Sequence, residues 1–169
     1  MKTKWIGGLV VSALGIGVYA GDVVASTPPA PAKATVLGQS RFGEFDINSH
    51  TIPANRWHAQ LKTHGDSDAW VVDNTFPETG SATTWHTHPG PSLILVLHGT
   101  VTNYASDQPG CAGQTYPAGS GFIDEGGDDV HMLRNEGAGP AETIAVQLLP
   151  QGAPRKTDMP QPDNCHVTP

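Results

Sequence analysis

Short apolar stretches separated by turn residues make up most of the sequence from residue 36 onward. The most apolar stretch, 92–97, reads Ser-Leu-Ile-Leu-Val-Leu, and we expect a central strand that is covered on both faces. No segment has a convincing helical period. Strands are predicted at 41–47, 57–62, 69–74, 82–85, 92–97, 101–105, 113–116, 121–124, 130–134 and 142–149. This spacing predicts an all-β sandwich or barrel.

The first 25 residues have a different pattern. Lys2 and Lys4 precede an apolar run over 5–20, and signal peptidase could cleave after Ala20 or Ala25. This layout is typical of a secretory signal. The alternative is an uncleaved anchor helix, but the run is shorter than the roughly 20 residues that span a bilayer. We therefore expect a signal peptide at 1–20, with cleavage as late as 25, a secreted or periplasmic location, and no membrane attachment after cleavage.

The rest of the chain divides into a Pro/Ala-rich linker at 21–35, one folded domain at 36–150 and a Pro-rich tail at 151–169. The two cysteines, Cys111 and Cys165, are both in the exported part. In an oxidising compartment such a pair predicts a disulfide, which would tie the tail to the domain. A redox or metal-binding pair is the alternative, although the spacing is not Cys-x-x-Cys.

Charge and motifs narrow the classes of partner. The formal net charge is -7, and no cluster of Lys and Arg occurs. An acidic chain of this kind is a poor candidate for binding nucleic acid. The sequence contains no Gly-x-Ser-x-Gly elbow, phosphate loop or dinucleotide fingerprint. The expected partner is a small-molecule ligand or substrate.

Three histidines have the pattern of a metal site. His86 and His88 are two residues apart before the apolar strand, and residues i and i+2 of a strand point to one face. His131 follows on a later predicted strand. Neutral imidazole suits transition metals, so we expect these histidines to hold one divalent ion, with Fe, Mn, Ni, Cu and Zn all open.

The spacing of Gly80, His86, His88, position 92 and Gly99 resembles the first motif of the cupins. The end of the second cupin motif is a histidine followed four residues later by an asparagine, and His131 and Asn135 have this spacing; three earlier positions differ from the motif, and they hold Ser120, Gly126 and Asp128. The resemblance covers about 65–150. It implies a single-domain cupin double-stranded β-helix (a jelly-roll barrel), often a dimer, with a divalent metal inside.

Position 92 departs from the family, which normally has a metal-binding Glu where this chain has Ser92. A hydroxyl is a poor ligand, so the fourth-ligand position is vacated and an open three-histidine centre results. Such a centre resembles those of the thiol dioxygenases, which also have a cupin barrel. Alternatively, water or an anion fills the gap, or Asp124 or Glu125 replaces the Glu. We expect the acidic group at 124–129 to be a solvated loop tip, and replacement of Ser92 by Glu to tighten metal binding.

The favoured function is therefore a small-molecule metalloenzyme, with a dioxygenase-type oxidoreductase first and a metal-dependent lyase or isomerase second. The rival is a non-catalytic protein that binds a metal or a small ligand outside the cytoplasm. Trp85, Phe122 and Tyr104 are candidates for lining a pocket, although core packing is the commoner role of such residues. The remaining histidines lack ligand spacing and are expected at the surface; they are His50, His58, His64, His98 and His166.

Overall fold

The computed structural model describes residues 28–50 and 57–169, so the predicted signal peptide lies outside the described residues. Within these ranges the backbone is almost entirely strand and turn, with one short 3₁₀ helix at Pro109–Cys111. The strands are β1 Lys33–Phe42, β2 Asp46–His50, β3 His58–Lys62, β4 Ser67–Phe76, β5 His86–Thr87, β6 Ser92–His98, β7 Thr100–Ala105, β8 Gln114–Pro117, β9 Gly121–Asp124, β10 His131–Arg134, β11 Ala141–Pro150 and β12 Thr157–Asp158. None of the helical structure in this part of the chain is long and apolar enough to cross a membrane.

Two antiparallel five-stranded sheets form the body of the molecule. One has the order β1-β4-β11-β6-β9 and the other the order β12-β5-β10-β7-β8. The eight strands from β4 to β11 thus have the order of a jelly roll built from two Greek keys, and the chain changes sheet at every step except β7 to β8. This confirms the predicted all-β double-stranded β-helix. Strands β2 and β3 form a separate exposed hairpin.

Strand β6 shows which face of the first sheet is packed. Ser92, Ile94 and Val96 are buried, whereas the alternate residues Leu93, Leu95 and Leu97 are between 42% and 52% exposed. The expectation that this strand is covered on both faces is therefore wrong. An antiparallel sheet needs only one packed face, and here the outer face is open. Homodimer formation stays a prediction, and this apolar outer face is one surface that could serve it.

The outer face of the second sheet is covered by the C-terminal tail. Cys111 and Cys165 form the predicted disulfide, with a Cα–Cα distance of 5.0 Å. Around it is a core cluster that consists of Ala82, Trp85, Tyr104, Cys111, Met132 and Cys165. Trp85 directly precedes His86, so strand alternation turns it away from the interior. Trp85 and Tyr104 therefore belong to this outer core, and the expectation that they line a pocket is corrected.

Some strand boundaries differ from the predicted ones. β1 begins at Lys33, inside the stretch predicted as linker, and the Ala32 amide donates to the Ala82 carbonyl at 3.0 Å. Small residues give no hydrophobic periodicity, so local pattern could not find this start. The stretch 41–47 is divided between β1 and β2, and 82–85 forms only a single bridge, between Ala82 and Arg134.

Two motif residues that are not ligand candidates have structural roles. Gly99 has φ of 68°, and a Cβ there would be 2.5 Å from the Pro140 carbonyl oxygen. Only glycine can make the tight β6–β7 turn against this backbone. Asn135 is fully buried and its amide donates to the carbonyls of Glu78 and Gly139. Both residues fix the loops at one end of the barrel.

Candidate metal centre

The three motif histidines meet on the inner face of the second sheet. β5 pairs with β10 so that His86 is directly opposite His131, and His88 lies two residues further along. All three are buried, with ring-centroid separations of 4.4 to 5.4 Å. Their candidate ligand nitrogens all lie within 4.8 Å of one another. Strand pairing therefore brings His131 to the two histidines that are neighbours in the sequence, His86 and His88.

Main-chain carbonyls orient the three imidazoles. His86 Nδ1 is 2.7 Å from the Thr84 carbonyl oxygen, and His88 Nδ1 is 2.7 Å from that of Arg155. His131 Nδ1 has a longer contact, 3.4 Å, with the Asp129 carbonyl. A carbonyl can only accept, so in each ring the proton belongs on Nδ1 and Nε2 keeps its lone pair. This is the arrangement found in metal-binding histidines.

Burial favours the neutral form of His86 and His88. Loss of hydration, together with the neighbouring His131, lowers the pKa of His86 to about 2. Burial also lowers the pKa of His88 below its usual value. A neutral imidazole is the form that binds a metal, because a protonated ring has no lone pair to donate. The donor set therefore fits a transition-metal ion.

Ser92 is part of a polar network on the opposite wall. It is fully buried at the start of β6, and its Oγ accepts from Gln147 Nε2 at 3.1 Å. The same nitrogen lies 3.1 Å from His88 Nδ1 but shares no hydrogen bond with it, because Nδ1 donates to the Arg155 carbonyl; Gln147 Oε1 accepts from Arg155 at 3.4 Å. Ser92 thus supports an amide beside the histidines. The sequence pattern did not reveal Gln147, because a single polar residue in an apolar strand forms no motif. Gln147 is two residues from Ala145 on β11, so strand periodicity places both side chains on the inner face.

Asp124 corrects the expectation of a solvated loop tip. It ends β9 and is only 4% exposed, whereas Glu125 and Asp128 are exposed as expected. Its Oδ1 accepts from the Gly126 amide at 2.9 Å. Its Oδ2 is 3.6 Å from His88 Nε2 and 3.8 Å from His131 Nε2. The carboxylate is therefore directed at the histidines because it is two residues from inward-facing Phe122 on the same strand.

A cavity of about 320 Å³ opens from the histidines toward the start of β1. Phe122, Ile94 and Leu133 provide apolar wall, while Gln147 and Arg155 provide polar groups. Phe122 thus faces this cavity, and its role in contacting a ligand stays a prediction. Arg155 was missed because it belongs to the Pro-rich tail, and nothing in the local sequence shows that the tail returns to the barrel interior.

Comparisons with known proteins give matches among solved structures alone. No protein-family model and no curated protein matches the chain. An uncharacterized conserved protein with a double-stranded β-helix domain from Klebsiella pneumoniae is 20% identical over 55% of this chain and 71% of that one, with a TM-score of 0.45. An RmlC-like cupin family protein from Methanocaldococcus jannaschii is 13% identical over 61% and 79%, with a TM-score of 0.43.

An enzyme is also among the similar structures. A DMSP lyase from Ruegeria pomeroyi is 14% identical over 54% of this chain but only 43% of its own, with a TM-score of 0.45. At these identities the likeness concerns the fold alone. The chain's own strand order is that of a jelly roll, and its strand pairing sets His86 opposite His131. The chain therefore has the double-stranded β-helix fold, and its histidine spacing resembles the first cupin motif.

Proposed function

We propose that the protein is a metal-dependent cupin that acts on a small organic molecule, with one divalent transition metal held by His86, His88 and His131. The observation that carries the proposal is the arrangement of the rings: each Nδ1 contacts a main-chain carbonyl, which leaves Nε2 free, and the candidate ligand atoms of the three buried residues all lie within 4.8 Å of one another. A bound ion would supply Lewis acidity or redox chemistry there. The metal stays open among Fe, Mn, Ni, Cu and Zn.

Oxidation by dioxygen is the favoured reaction class. The histidines approach from one sheet, and the cavity lies on their open side, so a substrate and dioxygen have room beside the ion. A metal-dependent lyase or isomerase is the second candidate, because the same open side suits a bound carbonyl or carboxylate. The rival class is a non-catalytic protein that binds a metal or a small ligand.

Arg155 indicates the chemistry of the small molecule. Its guanidinium lines the cavity, is half-buried and has no ion pair with the residues that the structure describes. Burial lowers the pKa of Arg155. The neighbouring Lys156 differs from Arg155 because its ammonium group is paired with the Asp158 carboxylate at 2.5 Å. A guanidinium fork binds carboxylates in a two-pronged geometry. We therefore propose a substrate or ligand with a carboxylate group.

The proposed location is outside the cytoplasm. The Cys111–Cys165 disulfide is compatible with an oxidising compartment, and the predicted signal peptide at 1–20 would direct export. Amino-terminal sequencing of protein taken from the culture medium or periplasm tests this. A mature chain that starts near residue 21 or 26 supports export, and a chain that still starts at Met1 contradicts it.

Metal analysis is the first test of the function. Protein purified from its native compartment should contain close to one equivalent of a transition metal, and a variant with His86, His88 and His131 replaced by Ala should contain none.

Oxygen uptake with a panel of small carboxylic acids then separates the three functional classes. Uptake supports the oxygenase, product formation without uptake supports the lyase or isomerase, and bound metal without turnover supports the binding protein. A protein without metal whose melting temperature does not respond to added ions would contradict all three.

Two matched variants test the proposal that the small molecule carries a carboxylate. Arg155→Gln should raise the KM or Kd for a responsive carboxylic acid about tenfold or more, because it removes the charged fork. Lys156→Gln serves as the control, since that lysine already has a partner. Equal responses of the two variants, or an unchanged KM in Arg155→Gln, would contradict a specific role for Arg155.

A further inference from the structure

We propose that Asp124 is a fourth metal ligand, so that the carboxylate normally found at position 92 of the cupin motif is supplied here from the neighbouring strand. The inference rests on the proposed three-histidine site and deepens it. It replaces an open three-histidine centre with a centre of three histidines and one carboxylate.

Strand register supports this assignment. β6 and β9 pair so that Ser92 is directly opposite Asp124. Residues opposite each other in an antiparallel pair project from the same face, with Cβ atoms about 4.5 to 5.5 Å apart. A carboxylate at either position can therefore reach the same part of the barrel interior. The chain lacks the acid at 92 and has one at 124.

The orientation of the carboxylate supports it as well. Asp124 Oδ1 is held by the Gly126 amide, which leaves Oδ2 as the atom directed at the histidines. Its distances of 3.6 and 3.8 Å to His88 Nε2 and His131 Nε2 are too long for hydrogen bonds. They are close to the separation of about 3 to 3.5 Å expected for two ligand atoms that are each about 2.1 Å from one ion.

The energetic argument concerns an unpaired buried oxygen. Asp124 Oδ2 is buried and has no hydrogen-bond partner among the described residues. A buried carboxylate without a partner is strongly unfavourable, and buried charges in proteins are normally paired or bound to metals. A divalent cation among three neutral imidazoles would provide the missing partner. The carboxylate in turn would reduce the uncompensated charge of that ion.

A glycine loop holds the carboxylate in position. The Gly127 amide donates to the His88 carbonyl at 2.7 Å, and Thr87 Oγ1 donates to the Gly127 carbonyl. Gly126 has φ of 74°, and a Cβ there would be 2.4 Å from the Gly90 carbonyl oxygen. The chain after Asp124 is thereby attached to the strand that carries two of the histidines.

Asp124→Asn is the first experimental variant. It keeps an oxygen for the Gly126 amide but removes the negative charge. Calorimetric titration of the metal-free protein with Zn²⁺ or Mn²⁺ should show at least a tenfold loss of affinity, and the Co²⁺ absorption spectrum should change. Glu125→Gln is the matched control, because Glu125 is the next acidic residue along the chain and its side chain is exposed. Its affinity should stay within about threefold of the original.

A ligand exchange tests the assignment even if Asp124→Asn folds poorly. Ser92→Glu combined with Asp124→Ser moves the carboxylate back to β6 and should bind metal at least tenfold more tightly than Asp124→Ser alone. Ser92→Glu by itself should give no gain, because two carboxylates would then compete for one position. This differs from the tightening that the sequence alone predicts.

Distinct outcomes separate the two proposals. If the unmodified protein binds no metal, the proposed function fails. If it binds metal and Asp124→Asn binds equally well with an unchanged Co²⁺ spectrum, the three-histidine site stands and the role of Asp124 is overturned. The role of Asp124 is also overturned if Ser92→Glu alone binds metal at least tenfold more tightly than the unmodified protein.

Discussion

Two segments contribute to the centre, and they are held in place differently. The first runs through β5 and β6 and carries His86 and His88 next to a strand that is paired on both sides, with β11 and β9. The second runs through β9 and β10 and carries Asp124 and His131, with a glycine loop between them. β9 is an edge strand of four residues. The difference indicates that pairing on both sides fixes the first segment, whereas the position of the carboxylate depends on a single pairing, with β6, and on how the glycine loop packs against β5.

The largest expected effect comes from removing a histidine of the first segment. His86→Ala should lower metal affinity at least 100-fold, because it deletes a ligand that no neighbouring side chain replaces. His98→Ala is the matched control, since His98 ends β6 and is exposed. Calorimetric titration measures both. Equal affinities for the two variants would contradict histidine ligation.

The second prediction concerns the loop of the second segment. Gly126 and Gly127 both have φ near 70°, so Ala at either position should cost about 1–2 kcal/mol of backbone strain. A Cβ at Gly126 also overlaps the Gly90 carbonyl, whereas one at Gly127 has no atom within 4 Å. Gly126→Ala should therefore lose a further ~1–3 kcal/mol and also weaken metal binding. Urea unfolding of the two variants checks this, and equal losses would show that the loop is not tightly packed.

A third prediction concerns acid and the metal-free protein. The pKa of His86 is about 2 in the folded state and about 6.5 when exposed, so below pH 6.5 the unfolded chain binds a proton that the folded chain does not. Stability from this group is therefore present above pH 6.5 and is lost as pH falls toward 2. The slope approaches about 1.4 kcal/mol per pH unit for one proton. Urea unfolding of the metal-free protein between pH 6.5 and 5 should show this slope. The slope should be smaller in His86→Ala, and identical slopes in the two proteins would contradict a buried neutral His86 ring.

The smallest effect is expected at position 92. Ser92→Ala removes the hydrogen bond from Gln147 and should cost about 1 kcal/mol of stability, with metal affinity nearly unchanged. Thermal or urea unfolding measures the first quantity and calorimetry the second. A large loss of metal affinity in this variant would show that the Ser92 hydroxyl itself is a ligand.

Much of the fold could be predicted from local pattern. Alternating apolar positions and frequent turns predicted the strands, and the i, i+2 spacing of His86 and His88 predicted that they share a face. The cysteine pair predicted the disulfide that joins Cys111 to Cys165. These features depend on the period of two in a strand or on composition, which a single sequence displays directly.

Three features could be found only in the tertiary structure. They are the inward-facing carboxylate of Asp124, the guanidinium of Arg155 in the cavity, and the open outer face of β6. Asp124 is 32 residues from Ser92 in the sequence, and only the β6–β9 register makes them neighbours. Arg155 reaches the cavity because the tail returns along the second sheet. Local spacing determines the direction in which a side chain points on its own strand. Which side chain it meets depends on long-range strand pairing, which no short segment of the sequence encodes.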